Sequence, residues 1–285
     1  MIQLGTTTLA LAGWIANPQQ PGESRTQRIQ AIRRIVSSHG LQAVELTLDL
    51  HTIYPQVFDA GFYRSVGELQ QILGFLCTVH LPFLWVEPAS LNEQIREASI
   101  ASLRQAIAVT EAVDVHTYVL HLWGFTTMQV LSQLQDSVQR ELVTGVLMSQ
   151  AGRSLATLCE MVDPADLCVE NLEDSLFERA VPMIEEHGTS ICLDVGHLAL
   201  QGGCELSFLE QHMDRIREIH LHDAIVPHTG EWQTARDHLA LGQGSLDHKT
   251  FFEKLAELDY EGPIILELNS EADLAQSLER LNRVM

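Results

Sequence analysis

Histidine, aspartate and glutamate recur in this sequence at one kind of position, the end of a short apolar run. The run ICLD ends in Asp194, and His197 follows three residues later. An unpaired buried carboxylate is costly, so a buried strand does not normally end in an acidic side chain followed by an imidazole. The same residue types close or directly follow five further apolar runs, at His80, His121, Glu170, His220 and Glu267. His238 lies in the loop after the run that contains His220.

These residue types are suited to binding metal ions. One such histidine alone is more often a satisfied polar residue than a ligand, but six consecutive runs that end alike predict a shared site. Carboxylates and imidazoles with no required thiolate suit Zn²⁺ or Mn²⁺, and Fe²⁺, Co²⁺ and Mg²⁺ are also compatible. The candidate metal ligands are His80, His121, Glu170, Asp194, His197, His220, His238 and Glu267. They are too many for one catalytic ion with an open position, so we expect two or three ions, zinc first, bridged by Glu170.

The apolar runs alternate with segments whose apolar residues recur every three to four positions, which is the spacing of a helix face. We predict strands near residues 2–8, 43–48, 75–80, 117–122, 166–171, 190–195, 217–222 and 263–268. Eight strand–helix units in 285 residues predict an α/β fold, a single (β/α)8 TIM barrel over residues 1–285. A doubly wound open sheet is the rival fold, but no glycine-rich phosphate loop follows the first strand. The functional residues of such a barrel lie at the C-terminal ends of its strands, where these side chains would meet.

The helical segments carry start and stop signals of their own. Gly40 follows the segment RTQRIQAIRRIVSSH and is a plausible stop for a helix. In a later segment, Ser90 and Glu93 have the spacing of a capping box, which predicts Ser90 as the N-cap. Residues 128–162 are long enough for one elongated helix or for a broken pair.

The composition excludes several classes of partner. The chain has 38 acidic and 17 basic residues, for a net charge of -21, whereas proteins that grip nucleic acid carry a basic face. We therefore expect a small-molecule substrate. The sequence has no uninterrupted run of 18 apolar residues, so no membrane helix is predicted. The N-terminal residues are interpreted as a strand rather than a signal peptide. Five scattered cysteines without CxxC spacing indicate reduced thiols and a cytoplasmic protein. Nothing in the sequence specifies an oligomeric state.

The motifs at the strand ends resemble those of a known superfamily. They are HLP from His80, HLWG from His121, EN from Glu170, DVGH from Asp194, HLHD from His220, HLALGQG from His238, and Glu267. As a set they resemble the xylose-isomerase-like TIM barrels, a superfamily shared by endonuclease IV (AP endonuclease family 2) and sugar epimerases. The resemblance covers the whole barrel.

The endonuclease IV branch of this resemblance implies up to three zinc ions. One would be held by His80, His121 and Glu170, and the second by Glu170, Asp194, His220 and Glu267. The third would need His197, His238 and an aspartate, but the aspartate position is Arg236 here. We hypothesise that the Arg236 guanidinium replaces the third cation as a bidentate phosphate clamp.

The isomerase and epimerase branch implies a single ion. Its ligands would be Glu170, Asp194, His220 and Glu267. Glu170 and Glu267 would also be the catalytic residues, since the two glutamates of that branch move a proton between adjacent carbons. His197 would then bind substrate. The early histidines occur in this branch too, so they do not exclude it.

A finer resemblance favours hydrolysis. The stretches LGTTT, VELTLD, CTVHLP, SLNEQIREASI and RDHLAL are similar to those of cobamide-remodelling phosphodiesterases, which cleave the nucleotide loop of a corrinoid. Trp85 and Trp123 follow the third and fourth strands, where they would stack on a planar ligand. The sequence thus favours a divalent-metal-dependent hydrolase of a small-molecule phosphodiester, in which the ions lower the pKa of a bridging water. Glu267 or Glu170 would orient that water as the catalytic residue. The alternative is a sugar or sugar-acid isomerase or epimerase with one divalent metal. Repair of DNA and non-enzymatic metal binding rank below both.

Overall fold

The computed structural model describes residues 2–8, 25–173, 176–226 and 235–283. Eight parallel strands close into a barrel in the order β1-β10-β7-β6-β5-β4-β3-β2. Their bounds are β1 Gln3–Thr7, β2 Ala43–Thr47, β3 Leu76–His80, β4 Val115–Leu120, β5 Leu167–Glu170, β6 Ser190–Asp194, β7 Ile216–Leu221 and β10 Pro263–Leu266. The predicted (β/α)8 barrel is therefore confirmed.

Helices connect the strands, and most of them bury one face. Within the described residues they are α1 Arg25–His39, α2 Asp49–Ile53, α3 Ala60–Leu73, α4 Glu93–Val109, α5 Phe125–Gln133, α6 Ser137–Leu158, α7 Phe177–His187, α8 Val195–Leu200, α9 Glu205–His212, α10 His248–Glu257 and α11 Glu271–Leu281. A short 3₁₀ helix covers Pro164–Asp166. Gly40 follows α1 with a φ of +64°, which only glycine adopts without strain, so the predicted stop is confirmed.

The start of α4 differs from the sequence prediction. Asn92, not Ser90, is the N-cap, and its Oδ1 accepts a hydrogen bond of 3.0 Å from the amide of Gln94. Glu93 does not complete a capping box, because its carboxylate binds the guanidinium groups of Arg96 at 2.7 Å and of Arg153 at 2.8 Å. Charge-assisted pairs of this kind outweigh a neutral capping bond. The consequence is an ionic link between α4 and α6.

The segment 128–162 contains a broken pair rather than one long helix. The helix α5 ends at Gln133 and α6 begins at Ser137. Asp136 caps α6, since its Oδ1 accepts a hydrogen bond of 2.8 Å from the amide of Gln139. This aspartate is the signal that divides the two helices.

Polar side chains form one layer inside the barrel. Glu45, Thr78, Thr117 and Glu218 have no exposed surface. The hydroxyl of Thr117 donates to Glu218, and their strands, β4 and β7, are not neighbours, so both side chains point inward. Barrel interiors are usually filled by branched apolar residues. We therefore interpret the polar layer as a support for the side chains at the carboxyl ends of the strands.

A hairpin that the sequence did not predict follows β7. It consists of β8 Asp223–Ile225 and β9 Arg236–Leu239, which pair antiparallel and form a separate two-stranded sheet. Such short strands have no periodicity from which to predict them. The hairpin places His238 beside the end of β7. No helix among the described residues is long and apolar enough to cross a membrane.

Candidate active site

The predicted ligands meet at the carboxyl ends of the barrel strands. His80, Glu170 and Asp194 are the last residues of β3, β5 and β6, and His121 and Glu267 directly follow β4 and β10. Asp194 pairs in register with His220 on β7. Parallel strands in a closed barrel end at one rim, so their terminal side chains converge. Each of the eight predicted ligands lies in contact with at least one other predicted ligand.

Glu170 lies at the centre of the site. Its Oε2 is 2.7 Å from His121 Nε2 and 3.2 Å from His80 Nε2, and its Oε1 is 3.1 Å from His220 Nδ1. Burial alone would raise the pKa of this carboxyl, but His220 and His121 outweigh burial and hold the pKa well below its usual range. Glu170 is therefore a carboxylate, as a bridging ligand must be.

One group of four residues has the composition of a divalent-cation site. Glu170, Asp194, His220 and Glu267 each offer one donor atom within 4.8 Å of the others, and all four are buried. Glu267 Oε2 is buried without a well-directed hydrogen bond, although His220 Nδ1 lies 3.1 Å away. Three carboxylates and one imidazole suit Mn²⁺, Zn²⁺, Co²⁺ or Mg²⁺, so the side chains fit such an ion.

A second group shares Glu170 with the first. His80, Glu170 and His220 also place donor atoms within 4.8 Å of one another, and His121 contacts the same glutamate. His80 Nδ1 donates to the carbonyl of Leu81 at 2.9 Å, which directs Nε2 towards Glu170. A backbone acceptor that fixes the ring in this way is usual for metal-binding histidines. These side chains are therefore able to hold a second ion.

Asp194 and His197 are linked by the start of helix α8. Asp194 is the N-cap of this helix, and its Oδ1 accepts a hydrogen bond of 2.6 Å from the amide of His197. His197 Nδ1 then lies 3.6 Å from Asp194 Oδ2 and 3.7 Å from Glu170 Oε1. Burial lowers the pKa of His197, but Asp194, Glu173 and Glu170 outweigh it and raise the pKa to about 9. Strand end and helix start together aim both side chains at one site.

His222 is a site residue that the sequence reasoning missed. Its Nε2 donates to Asp194 Oδ2 at 3.1 Å, and its Nδ1 accepts from the amide of His238 at 2.9 Å. The rings of His222 and His238 stack 4.3 Å apart at 9°. A Cβ on Gly196 would lie 2.0 Å from His222 Cε1, so the glycine of DVGH makes room for this ring. The signal was the spacing of His220 and His222, since residues two apart in a strand share a face.

Glu45 was also missed. It comes from β2, and its Oε2 lies 3.0 Å from His220 Nε2 across the barrel. Both side chains are fully buried. Burial raises the pKa of Glu218 to about 8, and the nearby charge of Glu45 contributes to this rise. A single carboxylate inside the apolar run AVELT was the available signal.

Arg236 lies at the edge of the site, outside the cavity that contains the predicted ligands. It is exposed on β9 and lines a shallow depression with Glu173, Leu200 and Asp237. Asp237 Oδ1 lies 3.2 Å from His238 Nδ1 instead, so the aspartate beside Arg236 orients this histidine. Arg236 does not line the cavity that contains the candidate ligands.

The candidate ligands open into a cavity of about 630 Å³. Trp85 lies at its mouth with 86% of its surface exposed, and Trp123 is buried in its wall. All 17 lysine and arginine residues of the chain are among the described residues, and none of them lines this cavity. The cavity therefore carries no fixed cationic side chain other than its histidines.

Comparison with known proteins gives the family. The sequence model of the xylose isomerase-like TIM barrel family matches residues 3–284. An uncharacterised protein of Methanocaldococcus jannaschii is 27% identical over 275 residues, which cover 88% of this chain and 82% of that protein. Inosose dehydratase of Lacticaseibacillus casei is 29% identical over 114 residues, which cover 36% of this chain and 38% of that enzyme. A crystal structure of a D-tagatose 3-epimerase-like protein matches with a TM-score of 0.74 at 21% identity, covering 99% of this chain and 96% of that one.

The family match spans all eight barrel strands and the strand ends that carry the candidate ligands. It confirms the superfamily that the sequence motifs indicated. The likeness to the solved structure supports the same fold. The closed barrel, the convergence of acidic and imidazole side chains at its rim, and the family match together show that this chain belongs to the xylose isomerase-like TIM barrel family.

Proposed function

We propose that this protein is a metal-dependent isomerase or epimerase of an uncharged, polyhydroxylated carbonyl compound such as a sugar. The observation that carries the proposal is the arrangement of two buried carboxylates around one imidazole. Glu170 Oε1 and Glu267 Oε2 each lie 3.1 Å from His220 Nδ1, at the floor of a cavity that contains no lysine or arginine. One divalent ion on Glu170, Asp194, His220 and Glu267 would complete the site.

The chemistry follows from these side chains. A bound divalent ion would polarise the carbonyl and hydroxyl oxygens of the substrate. Glu170 or Glu267, as a carboxylate, would remove the proton from the carbon beside that carbonyl. In isomerisation the glutamic acid so formed would return the proton to the adjacent carbon. In epimerisation the other glutamate would return a proton that it has taken from solvent. In the metal-free protein the neighbouring histidines hold the pKa of both carboxyls well below the usual range, so either glutamate is available as the carboxylate that takes the first proton.

His197 is suited to stabilise the charge that develops on the substrate. The ring lines the cavity and lies beside Asp194, which fixes its position. We propose that it donates a hydrogen bond to the oxyanion formed when the carbon is deprotonated.

The similar proteins support this class of substrate. Inosose dehydratase and the D-tagatose 3-epimerase-like protein are named for polyhydroxylated compounds. Epimerisation and dehydration of such ketones both begin with removal of the proton beside the carbonyl. A test should therefore measure removal of this proton rather than the formation of any one product.

Hydrolysis of a phosphodiester, including that of a cobamide nucleotide loop, is the second candidate. The observation that favours it is the second group of donors, in which His80 and His121 both contact Glu170 Oε2. Two divalent ions held by these residues would suit an in-line displacement. The absence of lysine and arginine from the cavity lining weighs against it, since phosphates are usually held by such residues.

The test is exchange of substrate carbon-bound hydrogen with solvent. Metal-loaded protein would be incubated with a panel of ketoses and inososes in D₂O, and deuterium at the carbon beside the carbonyl would be measured by NMR. We expect exchange in the natural protein and a loss of roughly 10²- to 10⁴-fold in Glu170→Gln and in Glu267→Gln. Glu253→Gln, an exposed glutamate on α10, is the control.

Hydrolysis of bis(p-nitrophenyl) phosphate would be measured on the same proteins, together with the number of metal ions per chain. Exchange with one tightly bound ion would support the isomerase. Phosphodiester cleavage that both glutamate variants lose, with two ions per chain and no exchange, would replace it with the second candidate.

A further inference from the structure

We infer that the catalytic cavity continues into an apolar subsite, which binds an uncharged apolar or aromatic group attached to the polyhydroxylated part of the substrate. This inference rests on the proposed function for the polar part alone. The subsite is lined by the side chains of Trp85, Leu91, Ile95 and Val130, and Phe125 lies beside it in the wall of the catalytic cavity. The substrate class would thus be a glycoside-like compound rather than a free sugar.

Two adjoining cavities carry the inference. The catalytic cavity of about 630 Å³ and an outer cavity of about 370 Å³ share Trp85, Glu87 and Thr126 in their walls. Cavities of roughly 300–1,000 Å³ bury most of a drug-sized ligand. The candidate ligands occupy one end of this space and apolar side chains the other. The combined shape suits a molecule with one polar and one apolar half.

Trp85 stands where the two cavities meet, in an unusual conformation. Its φ is +58°, a left-handed value that bulky residues rarely adopt, and 86% of the residue surface is exposed. Asp49 holds the turn before it, because its carboxylate accepts from the amides of Phe83 at 3.3 Å and Leu84 at 3.0 Å. Backbone strain of this kind concentrates at ligand-binding sites. A strained and exposed indole indicates a platform for a ligand.

Phe125 adds a second exposed aromatic ring to the lining of the catalytic cavity. It is the first residue of α5, and 81% of its surface is exposed. Exposed apolar surface concentrated around a cavity marks a binding site. Two aromatic rings at one mouth favour a planar or apolar group.

The outer cavity offers no free charge. Glu87 is the one charged residue among the described residues that line it. Its carboxylate accepts hydrogen bonds from the amides of Gly124 at 3.1 Å and Thr126 at 2.7 Å, and from the hydroxyl of Thr127 at 2.6 Å. Those three bonds cap the start of α5 and occupy the carboxylate. Because no lysine or arginine lines the outer cavity, a phosphate would find no cationic side chain in the subsite.

The test compares sugars with and without an aromatic group. Phenyl β-D-glucopyranoside, D-glucose, phenyl β-D-galactopyranoside and D-galactose would be titrated into the metal-loaded protein by calorimetry. We expect a phenyl glycoside to bind at least tenfold more tightly than its free sugar. This ratio should fall close to one in Trp85→Asn and in Ile95→Asn. Asparagine tolerates a positive φ, so the first variant keeps the turn.

Leu142→Asn is the matched control. Leu142 is an exposed apolar residue on α6 that lines neither cavity, so the ratio should persist in this variant. Equal affinities for phenyl glycoside and free sugar in both pairs would overturn the subsite. A phenyl preference that survives both Trp85→Asn and Ile95→Asn would also overturn it.

The neighbouring face of α6 makes a second copy of this chain the rival occupant. Val138, Leu142 and Val146 are exposed at a spacing of four residues. Sedimentation at the calorimetry concentration would reveal a dimer that Trp85→Asn and Leu142→Asn both dissociate, and that result would overturn the subsite. Failure of the proposed function gives a different result from failure of the subsite. If the protein catalyses no deuterium exchange but still prefers phenyl glycosides, the proposed function fails and the subsite stands. If it catalyses exchange on free ketoses but shows no phenyl preference, only the subsite fails.

Discussion

At the scale of single residues, His220 faces carboxylates through both of its ring nitrogens. Its Nδ1 faces Glu170 and Glu267 at 3.1 Å each, and its Nε2 faces Glu45 at 3.0 Å. One nitrogen therefore points to the candidate ion and the other is held by a carboxylate from the opposite side of the barrel. Carboxylates that hold a ligating imidazole set its tautomer and raise its basicity.

We predict that Glu45→Gln weakens metal binding without removing a ligand. Loss of such a partner typically costs 10- to 100-fold in metal affinity, so a fall of that order is expected. The measurement is a titration with Co²⁺ followed by its visible absorption, with Glu253→Gln as control. Unchanged affinity would mean that Glu45 only fills the barrel interior.

Gly196 is a second residue whose side chain, or lack of one, decides the site. We predict that Gly196→Ala displaces His222, because the new Cβ would lie 2.0 Å from its ring. Overpacking of this kind typically costs about 1–3 kcal/mol of unfolding free energy. Chemical denaturation would measure the loss, and Gly145→Ala on α6, where a Cβ meets nothing within 4 Å, is the control.

At the scale of elements, an ionic cluster joins α4 to α6. Glu93 binds Arg96 and Arg153, and their hydrogen bonds lower the pKa of its carboxyl to about 2. A lowered folded-state pKa adds stability above the unfolded value near 4.5, and that stability is lost as the pH falls towards 2. The link is exposed, so its contribution is small.

We therefore predict that Glu93→Gln lowers Tm at pH 7 and that the difference from the natural protein shrinks between pH 4.5 and pH 2. Thermal unfolding of both proteins over that range would show it. A difference that stays constant with pH would indicate that packing, not charge, joins the two helices. Glu253→Gln again provides the reference for a surface glutamate.

At the scale of the whole molecule, the barrel rim collects negative charge that something must neutralise. In the metal-free protein the imidazoles do so: burial lowers the pKa of His80, but Glu170 and Glu45 outweigh it and raise the pKa to about 10. His197 behaves alike, with a pKa of about 9. A raised folded-state pKa adds stability that is complete below the unfolded value near 6.5 and is lost as the pH rises through 9 to 10.

Chelated protein should therefore lose stability between pH 7 and pH 10, whereas metal-loaded protein keeps its stability because the ion replaces the protons. We predict that the gap in Tm between loaded and chelated protein widens over this range. Differential scanning calorimetry at several pH values would measure it. A gap that narrows with rising pH would show that the ion does not occupy these side chains.

The sequence by itself determined the barrel and the ring of candidate ligands. Apolar runs alternating with helical segments admit few topologies, and a closed parallel barrel places every strand end at one rim. Asp194, Glu170 and His80 thus share a site although more than one hundred residues separate the first from the last. The acidic and imidazole side chains at the rim therefore follow from the residue that ends each strand and from the parallel arrangement of the strands in the barrel.

Only the tertiary structure decided which side chains support that rim and which leave it. Glu45 reaches His220 from β2, His222 stacks on His238 through an unpredicted hairpin, and Arg236 lies exposed outside the ligand cavity. These outcomes depend on contacts between residues far apart in sequence, for which periodicity carries no signal. The same reason applies to the cavity beside Trp85. Its walls come from several loops and helices, and its lack of cationic side chains became visible only when they were assembled.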